Sequence, residues 1–121
     1  MEFYIHSIAP KKQVELVSGS FFIKTVEHGA DLAARVYFEQ VDHLIIHSQD
    51  LNPIFYNLRS GFAGSVLQKF SNFRLRLTIV GDYTQFTSRS LQNFIFESNQ
   101  HKQTRFVKNL EEAIIPEHFY L

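Results

Sequence analysis

Residues 58–82 read LRSGFAGSVLQKFSNFRLRLTIVGD, and this stretch decides the fold. Phe62, Val66 and Phe70 are spaced by four, the repeat of one helix face. Phe55 and Leu58 extend that stripe backwards, and Asn52-Pro53 is a suitable helix start. Ser71-Asn72 then breaks the pattern. Leu75, Leu77, Ile79 and Val80 follow as a strand, with Arg74 and Arg76 alternating with leucines at its half-exposed start. The strand closes on Gly81-Asp82, and in open α/β sheets ligands sit beyond such strand ends. Gly61, Ala63 and Gly64 are too small to fill a core. They are expected where the helix approaches another backbone or a ligand.

Working outward, Leu44, Ile45 and Ile46 form a continuous apolar run in VDHLIIHSQD, which marks a strand covered on both faces. Before it, FFIKTVEHGADLAARVYFEQ has helical spacing. Gly29 weakens that helix, so its start is expected near His28 or Ala30. Phe3, Ile5 and Ile8, then Val14 and Leu16, predict a hairpin turning at Pro10-Lys11-Lys12. After residue 82, Thr87 or Ser88 can cap a helix through Leu91, Phe94 and Ile95. Asn99 to Gln103 reads as a connector, Arg105 to Val107 as a short strand, and Leu110 to Ile114 as a last helical turn. The tail EHFYL is aromatic and is expected to dock on the body or on a second subunit. The order is ββαβαβαβα. It implies one α/β domain spanning residues 1–121, with a mostly parallel mixed sheet, an N-terminal hairpin and helices on both faces.

The bulk composition excludes several classes. The 121 residues include 13 Phe, no Trp and no Cys. Thiolate catalysis, disulfides and cysteine-ligated metals are therefore out. Phe without polar tips fits a core better than a base-stacking platform. No apolar run has membrane-spanning length and there is no signal-peptide pattern, so a cytoplasmic protein without membrane contact is expected. Net charge is zero. However, residues 58–108 hold 8 basic and 2 acidic side chains, while residues 1–57 hold 4 basic and 7 acidic. The plainer expectation is that these segments cancel in space. The balance argues against nucleic acid. The six histidines (6, 28, 43, 47, 101 and 118) show no metal-ligand spacing, and no cofactor is expected.

The run His47…Phe55…Leu58-Arg59-Ser60-Gly61-Phe62-Ala63-Gly64…Leu67-Gln68-Lys69-Phe70…Asn72-Phe73-Arg74…Val80-Gly81-Asp82, continued by Ser88…Ser90-Leu91…Phe94-Ile95…Glu97-Ser98-Asn99, resembles the bacterial family catalogued as domain of unknown function 4180. Two departures stand out. Gln100-His101 replaces a glycine the family tends to have there, and Phe73 stands where Tyr is common. The element order also resembles STAS domains, the anti-sigma-factor-antagonist fold. That likeness implies an interaction module, switched in those proteins by phosphorylation of a serine at the second helix. The aligned residue here is Arg59, with Ser60 beside it, so the switch does not carry over.

Two functional expectations follow. The first is a non-catalytic binding or regulatory module. Arg59, Ser60, Gly61, Gly64, Gln68, Lys69, Asp82, Ser88, Glu97 and Asn99 are its candidate contacts to a protein partner or a small anion, and a homodimer is compatible with it. The second is a hydrolytic or small-molecule site in which His47, Ser60 and Asp82 converge beyond the central strands. No Gly-x-Ser-x-Gly elbow surrounds Ser60, which weighs against that second expectation.

Overall fold

The computed structural model describes residues 2–19 and 22–116; the EHFYL tail lies outside them. One five-stranded sheet has the order β1-β2-β3-β4-β5. β1 (Glu2–Ser7) and β2 (Gln13–Val17) form the expected antiparallel hairpin. β3 (His43–His47), β4 (Arg76–Val80) and β5 (Thr104–Val107) continue parallel to β2. Helices α1 (Val26–Phe38), α2 (Phe62–Asn72) and α3 (Arg89–His101) join successive parallel strands, and α4 (Leu110–Ala113) follows β5.

Every step in sequence is also one step across the sheet, always in the same direction. Right-handed crossovers repeated this way deliver α1, α2 and α3 to the same face. The strand positions on that face are Val14, Leu16, Leu44, Ile46, Leu77, Ile79 and Phe106. All are buried with Leu32, Ala33 and Val36 of α1 and Ala63, Val66 and Phe70 of α2. The alternate strand residues point the other way. There Ile45 and Val80 pack against Ala113 of α4 in a smaller cluster. β3 is therefore covered on both sides, as its continuous apolar run implies.

The Phe-rich composition does serve the core. Phe55 and Phe70 are essentially fully buried. The rings of Phe55, Tyr83 and Phe94 each meet Phe106 at centroid distances of 5.5–6.4 Å. Truncating Phe55 or Phe70 to Ala should cost ~3–5 kcal/mol.

Four local expectations need correction. Helix α1 starts at Val26, ahead of His28 and Ala30, because the Thr25 side chain caps it by accepting from His28 N. Gly29 then lies inside α1, buried, where a methyl group would stand 3.2 Å from Val66 Cγ1. Its helix-propensity cost is offset by close approach of α1 to α2. The second helix does not begin at Asn52-Pro53. Asn52 caps only a short 3-10 turn, Pro53–Tyr56, a second turn spans Leu58–Ser60, and α2 starts after Gly61. Gly61 takes φ +78°, the left-handed turn between them. Neither Gly61 nor Gly64 makes the close approach expected of it; a methyl group at either would meet nothing within 4 Å. Finally, α3 runs on to His101, so Asn99 and Gln100 are helical.

The close approach occurs instead at Gly81. A methyl group there would stand 2.5 Å from Ser48 Oγ and 2.6 Å from Ser48 Cβ. Gly81→Ala should therefore destabilise the fold by ~1–3 kcal/mol, read as a lower urea midpoint. Because the clash is with a single side chain, adding Ser48→Gly should restore part of the loss. If the two losses simply add, this contact is not the cause.

Candidate functional site

Chemistry-bearing side chains gather at two places: the sheet face opposite the three long helices, and the ends of β4 and β5. On the sheet face, a buried polar chain crosses four strands. The Gln13 side chain holds the segment after α4, with Nε2 donating to Ile115 O at 2.8 Å and Oε1 accepting from Ile115 N at 2.8 Å. The same Oε1 lies 2.9 Å from His43 Nδ1, so Nδ1 carries the proton and donates. His43 Nε2, 2.7 Å from Thr78 Oγ1, then accepts from the hydroxyl. Arg105 Nη2 donates to Ala113 O at 2.7 Å and to Thr78 Oγ1 at 3.3 Å. Burial, with the charges of Arg105 and Arg76, pushes the His43 pKa down to about 3. The ring should stay neutral in its Nδ1–H form from about pH 5 to pH 8, visible as unchanging 15N imidazole shifts.

Beside this chain lies a carboxylate held between two imidazoles. Glu15 in β2 is 7% exposed and accepts from two imidazoles. His6 Nε2 stands 2.9 Å from its Oε1 and His47 Nε2 2.6 Å from its Oε2. The three side chains meet because Tyr4 pairs with Glu15 across the hairpin and Glu15 with Ile45 in β3. Both histidine side chains keep about a quarter of their surface exposed, 22% and 24%. Asp50, itself buried, fixes the end of β3 by accepting from His47 N at 2.7 Å and from the Ser18 hydroxyl. Burial pushes the Glu15 pKa up, but the hydrogen bonds and charges of His47 and His6 outweigh it and the pKa is lowered.

The sign of the consequence follows from linkage. As pH falls below the ordinary carboxylate value, the unfolded chain takes up its proton before the folded chain does. Glu15 therefore stabilises the fold fully at higher pH, and this contribution is lost as pH falls through the depressed folded value. Glu15→Gln should cost ~1.5–3 kcal/mol near pH 7 and flatten the acid limb of stability from the ordinary carboxylate value downward. Urea midpoints measured across that range check both effects.

His47, Ser60 and Asp82 do not form a hydrogen-bonded trio. The His47 ring is held by Glu15. The Ser60 hydroxyl donates to Asn57 O at 2.7 Å and Ile54 O at 3.2 Å and accepts from Phe62 N at 3.1 Å. Asp82 is exposed and accepts from Thr84 N at 3.0 Å and Thr84 Oγ1 at 2.6 Å, bonds that lower its pKa. β3 and β4 are nonetheless parallel neighbours, with His47 opposite Val80.

A cleft of about 700 Å³ opens at the ends of β4 and β5. Asp82, Thr84, Lys108, Asn109 and Glu112 line it, with Tyr83 and Phe106 among its walls. Gly81 N–H donates to Val107 O at 2.9 Å, which joins the two strand ends. The Tyr83 hydroxyl donates to Ile79 O, and burial raises its pKa. Asn109 caps α4 through Glu112 N at 2.8 Å.

The family model described as "Domain of unknown function (DUF4180)" matches residues 8–115. The chain belongs to this family. No curated protein and no solved structure matches it. The likeness to STAS domains thus rests on element order alone.

Several DUF4180 motif residues have evident structural work. Ser88 caps α3 by accepting from Leu91 N at 3.3 Å. Asn99 ties α3 to β5, accepting from Phe106 N at 2.7 Å and donating to Phe106 O at 3.2 Å. Gln68 donates to Asn72 one turn on. Arg59, Gly64 and Glu97 are exposed, and Lys69 is half-buried. The first donor of α2, Phe62 N, is already taken by Ser60, which lessens the case for an anion there. Sequence reasoning missed Glu15 and His6. The signal was present: QVELV alternates, so Glu15 shares a sheet face with Gln13, and His6 lies one pleat from its hairpin partner. Among the described residues, no three His, Asp or Glu side chains are arranged to hold a metal ion. No described helix is long and apolar enough to cross a membrane.

Proposed function

We propose that this chain is a non-catalytic binding module, cytoplasmic in setting, that takes a small polar molecule in the cleft beyond β4 and β5. One observation carries the reading: the cleft stands at the strand ends, where α/β sheets offer ligands their backbone and loop groups. Its lining supplies two carboxylates, an ammonium, a hydroxyl and an amide against aromatic walls. Such a set recognises polar ligands. Among the described residues it includes no imidazole. The exposed residues Arg59, Ser60, Gly64, Gln68 and Glu97 are the surface we assign to a protein partner that would read the bound state.

A second reading, an acid–base site at Glu15 and His47, is favoured by the 2.6 Å contact between them. A carboxylate that orients an imidazole is a common support for proton transfer. It is the weaker reading, because the same carboxylate also accepts from His6 and has no further imidazole-free oxygen to give.

Thermal unfolding in a panel of amino acids, polyamines and sugars tests the first reading. At least one compound should raise the melting temperature by several degrees at millimolar concentration. Asp82→Ala and Lys108→Ala should each abolish that shift while leaving the melting temperature of the free protein nearly unchanged. A panel without a hit, or a hit indifferent to both substitutions, overturns it.

A further inference from the structure

From the outer edge of β1, we infer a self-association surface: two copies of this chain pair their β1 strands antiparallel about a two-fold axis at Tyr4 and join their sheets into one. Among the described residues, β1 ends the sheet and pairs with β2 alone. An edge strand presents backbone N–H and C=O groups that a further strand can satisfy, and proteins usually guard such edges with Lys, Pro or a covering segment. β1 reads EFYIHS and contains neither Lys nor Pro. Its one irregularity, a bulge between Ile5 and Ser7, lies at the end of the strand. The opposite edge of the sheet shows the guarded case. There the Asn99 side chain accepts from Phe106 N at 2.7 Å and donates to Phe106 O at 3.2 Å, so an amide from α3 takes the place of a neighbouring strand.

The apolar surface of the molecule points to the same edge. Of the eight exposed large apolar side chains among the described residues, Tyr4, Ile5, Ile8 and Val17 belong to the hairpin of β1 and β2. They do not share one face. Ile5 pairs with Val14, whose side chain is in the core beneath the long helices, whereas Tyr4 pairs with Glu15 on the open side of the sheet. A ligand or a helix laid on one face would cover only one of the two. A strand added at the edge, in a sheet continued from a second molecule, covers both.

The order of side chains along β1 makes a second copy the fitting strand. With Tyr4 on the axis, Tyr4 faces its own counterpart, Phe3 faces Ile5 of the other copy, and Glu2 faces His6 of the other copy. Each pair is complementary: two aromatic rings, an aromatic ring against a branched aliphatic chain, and an acid against a base. Cross-strand pairs of these kinds are the stabilising ones. A shift of two residues either way keeps like faces together but loses the acid–base pair. Both members of that pair are also held in place before a second copy arrives, which lowers the cost of association. The Tyr4 hydroxyl donates to Glu2 Oε2 along the strand, and His6 Nε2 lies 2.9 Å from Glu15 Oε1.

Sedimentation velocity on the full chain tests the surface. The average mass should rise from monomer towards dimer as the concentration is raised through the micromolar range. Ile5→Lys, at an exposed position, should keep the chain monomeric with circular dichroism unchanged, because it sets an ammonium against Phe3 of the other copy. The chain has no cysteine, so a single Tyr4→Cys substitution reports on the axis directly. Under mild oxidation it should give a covalent dimer, whereas Ile54→Cys, exposed elsewhere on the surface, should not. In hydrogen exchange the outward amides of β1 should exchange freely in the dilute chain and gain protection with concentration. A chain monomeric at every concentration overturns the inference and leaves the edge to a strand from another protein. Dimers that survive Ile5→Lys overturn it as well, as do dimers in which Tyr4→Cys links no more readily than Ile54→Cys. So does a β1 edge already protected in the dilute monomer, which would assign its cover to the chain's own residues 117–121.

Discussion

Three crossovers step across this sheet in one direction, and the sheet's second face is thereby left without a layer of long helices. A central strand cannot leave its alternate side chains facing nothing. The chain meets this with a single turn, α4, which covers Ile45 and Val80. Many of the other positions on that face are polar or charged, among them Gln13, Glu15, His43, His47, Thr78 and Arg105. Each has a named partner, because a buried polar group without one would cost about 1–3 kcal/mol. Gln13 is central to this arrangement, since one amide serves both the His43 ring and the backbone of residue 115.

The apolar face was the part most legible in the sequence. Period-four spacing at Phe62, Val66 and Phe70, and the run Leu44 to Ile46, depend on local geometry alone. They led to the observed order of elements and to the parallel pairing of β3 with β4. Boundaries were less legible wherever a tertiary contact outweighed propensity. Gly29 belongs inside α1 because Val66 occupies the space a side chain would need. The 3-10 turns between Asn52 and Gly61 continue the apolar stripe of α2 without continuing its helix. Side chains at Phe55 and Phe62 can therefore meet, at 6.5 Å between ring centroids, across a break in the backbone pattern.

The site was legible only in part, for a physical reason. Strand ends follow from element order, so Gly81-Asp82 could be placed beside a cleft. Which side chains touch across strands follows from register, and register is a relation between distant segments. Glu15 meets His47 over 32 positions of sequence and His6 over 9. Alternation along QVELV tells which sheet face Glu15 takes, but the register that brings His6 and His47 to it is not local. The charge segregation shows the same limit. The sum of charges in residues 58–108 was plain, but not that Arg76, Lys102 and Arg105 would line one cavity.

The carboxylate between two imidazoles also explains why the sheet's polar face favours order over reactivity. Taking Glu15 out of water carries a desolvation cost of several kcal/mol, and a single surface-type ion pair would not offset it. Two short contacts, one to each oxygen, are what reverse the effect of burial on its pKa. A general base needs the opposite arrangement: an oxygen, or the far nitrogen of its imidazole partner, presented to a substrate beside a nucleophile. Ser60, the serine nearest to that role in the sequence, spends its hydroxyl on the carbonyls of Ile54 and Asn57. The face that lacks long helices is thus stitched shut by its own polar groups. The cleft that offers polar groups to a ligand stands instead beyond the ends of β4 and β5, where Asp82, Thr84, Lys108, Asn109 and Glu112 line it.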